Sequence, residues 1–293
     1  MNGWGRTNKE IGRRLKSYRL DGGHSANAIA GKLGISRAAL YRVEAGGIVK
    51  VETLEAIARL MNTSVASLLG AGTEYYASPS GYFARLRELE AAADAVVVRF
   101  MPMSYLLTTF SYDSYLRRMM IESIPDTEQS PETLVEIDTI MALLALRKMA
   151  AGHLRITSLM SVPEIERFLR IGLVGRLNLP APELKRRRAA ARKEIGHLVR
   201  LLRNPDGSID IAVIDEMLPN VGFQLFETDK ADILSISGFR TNELPNVRFG
   251  IGMVTAADEP VAHFRALAGD LYARGLKGEA AAQRLEAVLA ATA

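Results

Sequence analysis

One short stretch, residues 25–46, constrains the fold of this chain more than any other part of it. Ala30 is small at a point where a larger side chain would hold two helices apart. Gly34 follows where the chain must leave the first helix, because glycine takes a left-handed C-cap conformation without steric cost. Ser36 is then a good N-cap for a second helix. The stretch therefore predicts two short helices joined by a tight turn.

The flanking residues extend these two helices into one compact helical unit. Apolar residues recur at helical spacing on both sides of the turn, and Ser, Gly and Asp-Gly-Gly segments separate them. The predicted helices are 8–20, 25–33, 36–44, 52–61 and 64–69.

Charge is distributed unevenly along the chain. Residues 1–70 contain 11 Lys and Arg against 5 Asp and Glu, whereas the rest contains 26 basic and 28 acidic residues. The positive excess therefore lies in the helical unit. Counterion release makes such an excess favourable for binding a polyanion, although charge alone leaves a merely basic domain equally open.

Residues 11–69 resemble the Cro/C1-type (XRE) helix-turn-helix family of bacterial and phage repressors. The matching segments are IGRRLKSYR, IAGKLGIS, LYRVEAG and ETLEAIARLMNTSVASLL. The resemblance implies a five-helix lambda-repressor-like bundle. It also implies that the helix opened by Ser36 lies in the major groove of double-stranded DNA.

The resemblance assigns the groove-facing positions to Arg37, Ala38, Tyr41 and Arg42. Arginine can make a bidentate contact to guanine O6 and N7, whereas alanine offers only an apolar contact, for example to a thymine methyl. Arg37 and Arg42 are five residues apart and so do not share one helical line. They could read neighbouring base pairs, or one could hold a phosphate. For Tyr41, phosphate contact and simple exposure both stay open.

Three further residues are candidates for contact with the DNA backbone. Ser25 opens the second helix where family members direct side chains and free backbone N–H groups at a phosphate. Family members often carry glutamine at the position of Ala26, and Asn27 could replace that contact. Lys50, in the loop before the fourth helix, could also reach a phosphate.

The resemblance also implies a structural ion pair and a dimeric state. Arg19 and Glu44 match a structural ion pair that joins the first helix to the end of the third. The chain has a single copy of the motif, and one such unit buries too little surface for strong specificity. Family members usually bind as dimers on half-sites about one helical turn apart. We therefore expect a homodimer whose contacts lie after residue 70.

The remainder is expected to form a mixed α/β domain. We divide the chain into a DNA-binding domain over 1–72, a linker helix segment over 73–93 and the α/β domain over 94–293. Within the linker, residues 75–81 indicate a turn and 82–93 a helix. The predicted strands are 95–101, 154–160, 209–214, 222–227, 233–237 and 247–254. The predicted helices are 131–151, 163–170, 182–202, 261–274 and 279–291.

Catalysis, metal binding and membrane insertion are not expected. The chain has no cysteine, which excludes disulfides and thiolate zinc sites, and it has no apolar run near 18 residues. We expect a cytoplasmic protein without cofactor or metal. There is no P-loop, no GxSxG, and no zinc-binding spacing of histidines. The titratable residues that are candidates for catalysis are His24, His153, His197, His263, Asp210, Asp215 and Glu216.

Two features of the α/β domain are candidates for effector binding. Gln224 and Arg240 lie in similar Gly-Phe-polar segments, in which Phe223 and Phe239 are expected to be core and Arg240 could anchor an anion. The basic run over 185–193 is interpreted as a solvated helix face. A second DNA contact, or a pocket wall for an anionic effector, are its alternatives.

These observations predict a bacterial transcription regulator, with repression as the commoner outcome. Its second domain would bind a small molecule or partner that changes DNA binding. Two alternatives stay open. One is an antitoxin-like or partner-binding protein whose second domain is a protein interface, and the other is a DNA-binding enzyme.

Overall fold

A computed structural model of the chain describes residues 3–47, 50–70 and 72–292. It contains an N-terminal helical region followed by a mixed α/β region, which confirms the predicted fold class. The helical region consists of α1 (Gly3–Asp21), α2 (Ala26–Lys32), α3 (Arg37–Glu44), α4 (Val51–Leu60) and α5 (Val65–Leu69). Its interior is made by fully buried aliphatic side chains, among them Leu15, Ile29, Leu40, Ile57 and Leu68.

The α/β region is built on one mixed sheet that has seven strands within the described residues. The strands are β1 (Glu74–Tyr76), β2 (Ala95–Arg99), β3 (Arg155–Ser161), β4 (Ile209–Ile214), β5 (Gly222–Glu227), β6 (Ile233–Ser237) and β7 (Gly252–Thr255). Their order across the sheet is β1-β7-β6-β5-β2-β3-β4. β2, β3 and β4 run parallel, because helices connect them, and the remaining neighbours pair antiparallel.

Helices cover both faces of the sheet. They are α6 (Pro79–Ala92), α7 (Phe110–Glu122), α8 (Pro131–Ala150), α9 (Val162–Ile171), α10 (Ala181–Arg203), α11 (Asp258–Arg274) and α12 (Gly278–Ala291). α11 packs on one face, where Ala268 and Leu271 meet Ala212 and Leu225 of the strands. The alternate side chains of the strands point into the larger core, which α6, α8, α10 and α12 share with the helical region.

Within residues 73–93 the structure contains the predicted helix, but it differs from the sequence prediction in the residues before that helix. Glu74 pairs with Val254, so that β1 is an edge strand of the sheet rather than part of a turn. α6 begins at Pro79 instead of residue 82, with the Ser78 hydroxyl accepting from the Gly81 N–H at 3.3 Å. Ser-Pro is a cap followed by a favoured first helical residue, which is the signal that the sequence prediction missed here.

Two other elements also depart from the prediction. The last strand begins at Gly252 and not at residue 247, because the Asn246 side chain accepts from the Phe249 N–H at 3.1 Å and turns the chain. α7 was not predicted, since its residues mix polar and apolar side chains without a clear stripe.

Candidate nucleic-acid interface

Side-chain caps fix the ends of the two central helices. The Ser25 hydroxyl accepts from the Ala28 N–H at 3.1 Å, and the Ser36 hydroxyl accepts from the Ala39 N–H at 3.1 Å. Gly34 between them has φ +67°, a left-handed conformation that favours glycine. The Ile35 N–H donates to the Ala30 carbonyl at 3.0 Å, and this hydrogen bond closes the tight turn after α2. α3 therefore has a defined start and direction.

A buried ion pair joins α3 to α1. Arg19 donates from Nε to Oε1 of Glu44 at 2.6 Å and from Nη2 to Oε2 at 3.1 Å. Its Nη1 also donates to the His24 carbonyl at 3.1 Å, which ties the turn before α2 to the same guanidinium. At Gly12 a Cβ atom would lie 2.4 Å from the Val43 carbonyl oxygen, so α1 and α3 approach too closely for any side chain there. Glu44 is thus part of the scaffold.

The opposite face of α3 is open and basic. Arg37, Ala38, Tyr41 and Arg42 are all exposed. Arg37 donates to the Tyr41 hydroxyl from Nη2 at 3.0 Å and from Nε at 3.2 Å, and its guanidinium lies 5.2 Å from the ring centroid. Sequence reasoning named both residues but missed this contact, although their spacing of four residues is a signal for it. The contact restricts the Arg37 side chain before any ligand binds.

The remaining residues predicted to contact DNA are also exposed. Ser25 and Asn27 are exposed at the start of α2, whereas Ala26 between them is buried. Lys50 is exposed at the N-cap position of α4 and makes no capping hydrogen bond with its side chain. All three side chains can therefore be reached by a ligand from solvent.

A second buried ion cluster ties the helical region to the sheet. The Glu74 carboxylate accepts from Nε of Arg14 at 2.9 Å and from Nε of Arg85 at 2.8 Å. The Tyr76 hydroxyl donates to it as well, at 2.5 Å. Burial alone would raise the pKa of Glu74, but the two guanidinium groups outweigh burial and hold that pKa below its ordinary value. Sequence reasoning did not find this cluster, whose members lie far apart along the chain.

Further contacts strengthen the same junction. The rings of Tyr18 and Tyr76 stack with centroids 4.9 Å apart. Asp21, the last residue of α1, accepts from the Ser78 N–H at 2.7 Å. α6 lies so close to α1 that a Cβ atom on Gly81 would be 2.4 Å from the Asp21 Cβ. The helix-turn-helix unit is therefore held against the sheet along α1.

A cavity of about 380 Å³ lies beside this junction. Its walls come from α1, α6 and the segment between β5 and β6, and positive side chains outnumber negative ones in its lining. Ion pairs at its rim join Arg13 to Glu88 at 3.1 Å and Lys230 to Glu10 at 2.5 Å. Its charged lining residues are Lys9, Glu10, Arg13, Arg14, Arg85, Glu88, Asp229 and Lys230.

The structure does not bring Gln224 and Arg240 into this cavity, which other residues line. Arg240 donates to the buried carboxylate of Glu243, which also accepts from Arg167 at 2.8 Å. Gln224 is fully buried within β5, and neither atom of its amide has a partner among the described residues. Phe223 and Phe239 are buried.

The basic run over 185–193 is not uniformly solvated. Arg187 is buried, where it donates to the Leu173 carbonyl at 2.7 Å and to the carboxylates of Glu122 and Glu183. Arg192 donates to the Leu289 carbonyl at 2.7 Å and fastens α12. The other members of the run, Lys185, Arg186, Arg188 and Lys193, are exposed.

Three of the candidate titratable residues outside the helix-turn-helix, Asp210, Asp215 and His153, have structural partners. Asp210 accepts from the Tyr272 hydroxyl at 2.5 Å, and Asp215 accepts from Arg284 at 2.6 Å. His153 contacts the Ala93 carbonyl at 3.0 Å. Within the described ranges, no three His, Asp or Glu side chains are grouped closely enough to hold a metal ion.

Comparison with known proteins agrees with this geometry in the N-terminal region. A family model described as a helix-turn-helix domain matches residues 10–69. No curated protein matches the chain. The solved structures that match include one titled "Structure of TrmBL2, an archaeal chromatin protein, shows a novel mode of DNA binding". It is 9% identical, the match covers 86% of this chain and 87% of that chain, and the TM-score is 0.31.

The capped helix pair, the open basic face and the family match define the class of the N-terminal region. The chain carries a helix-turn-helix domain over residues 10–69, the kind of unit that places a helix in the major groove of DNA. In the part of the chain that the structure describes, no helix is both long and apolar enough to span a bilayer.

Proposed function

We propose that this protein is a sequence-specific transcriptional repressor that binds operator DNA as a homodimer. The observation that carries the proposal is the exposed face of α3, which presents Arg37, Tyr41 and Arg42 on a helix that is capped and braced from behind. In this geometry the N-terminal part of α3 enters the major groove, where arginine reads guanine. The positive excess within residues 1–70 supports the approach to DNA.

The experiment is a selection from a random-sequence duplex library with the full chain, followed by affinity measurements on the enriched sequence. Arg42→Ala should weaken binding to that sequence by about 1–3 kcal/mol, or about 5- to 150-fold. Arg274→Ala, which removes an exposed arginine on α11, is the matched control and should leave the affinity unchanged. No enrichment by the wild type, or equal affinities of the Arg42 variant and the wild type, would contradict the proposal.

Repression itself is tested with the enriched sequence placed across a promoter. Bound protein excludes the polymerase from that site, so the wild type should lower transcription in a purified system. Arg42→Ala should restore most of it at the same protein concentration. An increase in transcription by the wild type would show activation instead.

The proposal includes regulation by a small anionic ligand in the cavity beside α1. Its volume of about 380 Å³ lies within the range of ligand sites, and its basic residues exceed its acidic ones. A ligand there would contact α1 of the helix-turn-helix domain and the β5–β6 segment of the sheet together. Differential binding to two arrangements of these elements would change DNA affinity by the same free energy.

This part is tested by a thermal-shift screen of phosphorylated and carboxylated metabolites. A ligand of this cavity should raise the Tm of the wild type but not of Ala92→Trp, since Ala92 lines the cavity and the larger ring fills it. Ala91→Trp is the matched control, because Ala91 is also exposed on α6 but does not line the cavity. A shift that survives Ala92→Trp would place the ligand elsewhere.

A further inference from the structure

α8 is apolar on two opposite sides, which distinguishes it from a helix that simply covers a core. Its inner side buries Ile137, Ile140 and Leu144 against the rest of the protein. Its outer side exposes Val135 by 65% and Met149 by 78%. A helix that is apolar all round is normally covered on all sides. The outer side of α8 has no cover within the described residues.

The outer residues follow the spacing of a helix-pairing seam. They are Val135, Thr139, Ala142, Leu146 and Met149, separated alternately by four and three residues. This 3.5-residue repeat is the pattern by which two helices pack side by side. At 3.6 residues per turn, these five positions fall within a stripe of about 80°.

The residue in the middle of this stripe has a small side chain, and the one hydroxyl group in the stripe already has a hydrogen-bond partner. Ala142 lies at the centre, and the neighbouring Ala145 is also exposed, so a second helix can approach closely there. The Thr139 hydroxyl donates to the Val135 carbonyl at 2.8 Å, which leaves its methyl group for packing. Larger side chains at both ends and a small one between them give the stripe the same order of sizes in both directions, so an antiparallel copy would bring Ala142 against Ala142 at the centre.

Charge indicates the direction of that pairing. The first part of α8 carries the exposed acids Glu132, Glu136 and Asp138, whereas residues 139–155 contain no acid and end in the exposed Arg155. An antiparallel pair places each acidic end against the basic end of the other copy and opposes the helix dipoles. A parallel pair would bring like charges together.

An isologous dimer requires one self-complementary patch on each copy, and the outer stripe of α8 meets that requirement.

We infer that two copies of this chain associate through the outer stripe of α8, packed antiparallel about a two-fold axis that passes near Ala142. The inference rests on the homodimer of the proposed function and names the surface that forms it. It places the contact in the α/β region, on residues that are not part of the exposed face of α3.

The first test is the oligomeric state of the full chain by sedimentation velocity over a concentration series. The wild type should be a dimer, and Leu146→Glu and Ala142→Glu should raise its dissociation constant by more than about tenfold, because each buries an unpaired charge. Leu177→Glu is the matched control, since Leu177 is 68% exposed outside this surface. Circular dichroism and Tm check that the variants fold, as expected for substitutions at exposed positions.

The second test uses the absence of cysteine from the sequence. Ala142→Cys should form a covalent dimer with a short bis-maleimide, whereas Leu177→Cys should not. A wild type that is monomeric at all concentrations would overturn the inference. So would a Leu146→Glu variant that dimerises as the wild type does, or equal cross-linking of the two cysteine variants.

DNA binding separates this inference from the proposed function. Leu146→Glu should keep its affinity for a single half-site and lose the tighter binding to two half-sites. If the wild type dimerises through α8 but enriches no DNA sequence, the proposed function fails while the dimer surface stands. If it enriches a sequence as a monomer, the dimer surface fails alone.

Discussion

α3 and α8 each leave one face open to solvent, and the two faces have opposite chemistry. The open face of α3 carries Arg37, Tyr41 and Arg42, whereas that of α8 carries Val135, Leu146 and Met149. A cationic face gains from a polyanion by counterion release and is weakened by salt. An apolar face gains nothing from a polyanion and associates by burying surface, which salt weakens little. The exposed chemistry of each helix therefore indicates the class of its partner.

The largest expected effect is on stability, at the Glu74 cluster that joins the helical region to the sheet. Glu74→Ala leaves the buried Arg85 and the partly buried Arg14 without their partner, and should lower the free energy of unfolding by about 3–5 kcal/mol. Chemical denaturation measures it. Glu279→Ala, at an exposed ion pair, is the control and should change stability by less than about 1 kcal/mol. A negligible effect of Glu74→Ala would mean that the two regions are not coupled there.

The same cluster predicts a dependence on pH. The pKa of Glu74 is lowered in the folded protein, so its stabilisation is complete above its ordinary value of 4.5 and is lost as the pH falls through the lower, folded value. The stability difference between the wild type and Glu74→Gln should therefore shrink on acidification below that point. A difference that grows at low pH would contradict the assigned direction.

The next effect concerns the brace behind α3. Glu44→Ala removes the partner of the buried Arg19 and should cost about 3 kcal/mol of stability, because an unpaired guanidinium remains inside. It should also weaken DNA binding, since α3 loses its attachment to α1. Glu55→Ala, an exposed acid on α4, is the control for both readouts. An unaltered Tm for Glu44→Ala would show that the pair contributes nothing.

A smaller effect on DNA affinity distinguishes residues that contact phosphate from residues that contact bases. Lys50→Ala should weaken binding to all sequences alike and reduce the slope of log K against log salt by about 1. Arg42→Ala should instead lower binding to the selected sequence most. Fluorescence anisotropy at four or more salt concentrations measures both slopes. A sequence-dependent loss in Lys50→Ala would remove it from the backbone contacts.

The smallest effect concerns the contact within α3. Tyr41→Phe removes the hydroxyl that accepts from Arg37 while keeping the ring beneath the guanidinium. We expect a loss of DNA affinity of about 0.5–1 kcal/mol, since Arg37 is then less restricted before binding. Titration calorimetry would show it mainly as a larger entropic cost. An affinity loss as large as that of Arg42→Ala would make Tyr41 a direct reader.

The helical region could be predicted from sequence because its determinants are local. Ser25, Gly34 and Ser36 each fix a helix end through contacts within a few residues. The strands of the sheet were largely found for the same reason. Neither the order of the strands nor the Glu74 cluster follows from local pattern, since Arg14 and Glu74 are 60 residues apart. These features depend on which elements meet in space.

The sequence also did not show which side chains within a charged or apolar run are buried. The four consecutive basic residues from Lys185 to Arg188 look alike in sequence, yet only Arg187 turns inward to Glu122. In α8 the inner and outer apolar stripes overlap in the pattern, so the sequence shows a long apolar helix without showing that half of it is open. The partner of Arg240, a predicted effector residue, was also not visible in the sequence, since Arg240 donates to the buried carboxylate of Glu243.

The central claim is that α3 reads base pairs, and single-base-pair variants of the selected operator test it most directly. For each variant, affinities of the wild type and of Arg42→Ala are compared at one fixed salt concentration. We predict that the wild type discriminates at several positions by about 1–3 kcal/mol each, and that Arg42→Ala loses discrimination at one position in each half-site only. A uniform loss across all variants, with discrimination intact, would contradict the claim and reduce α3 to a backbone contact.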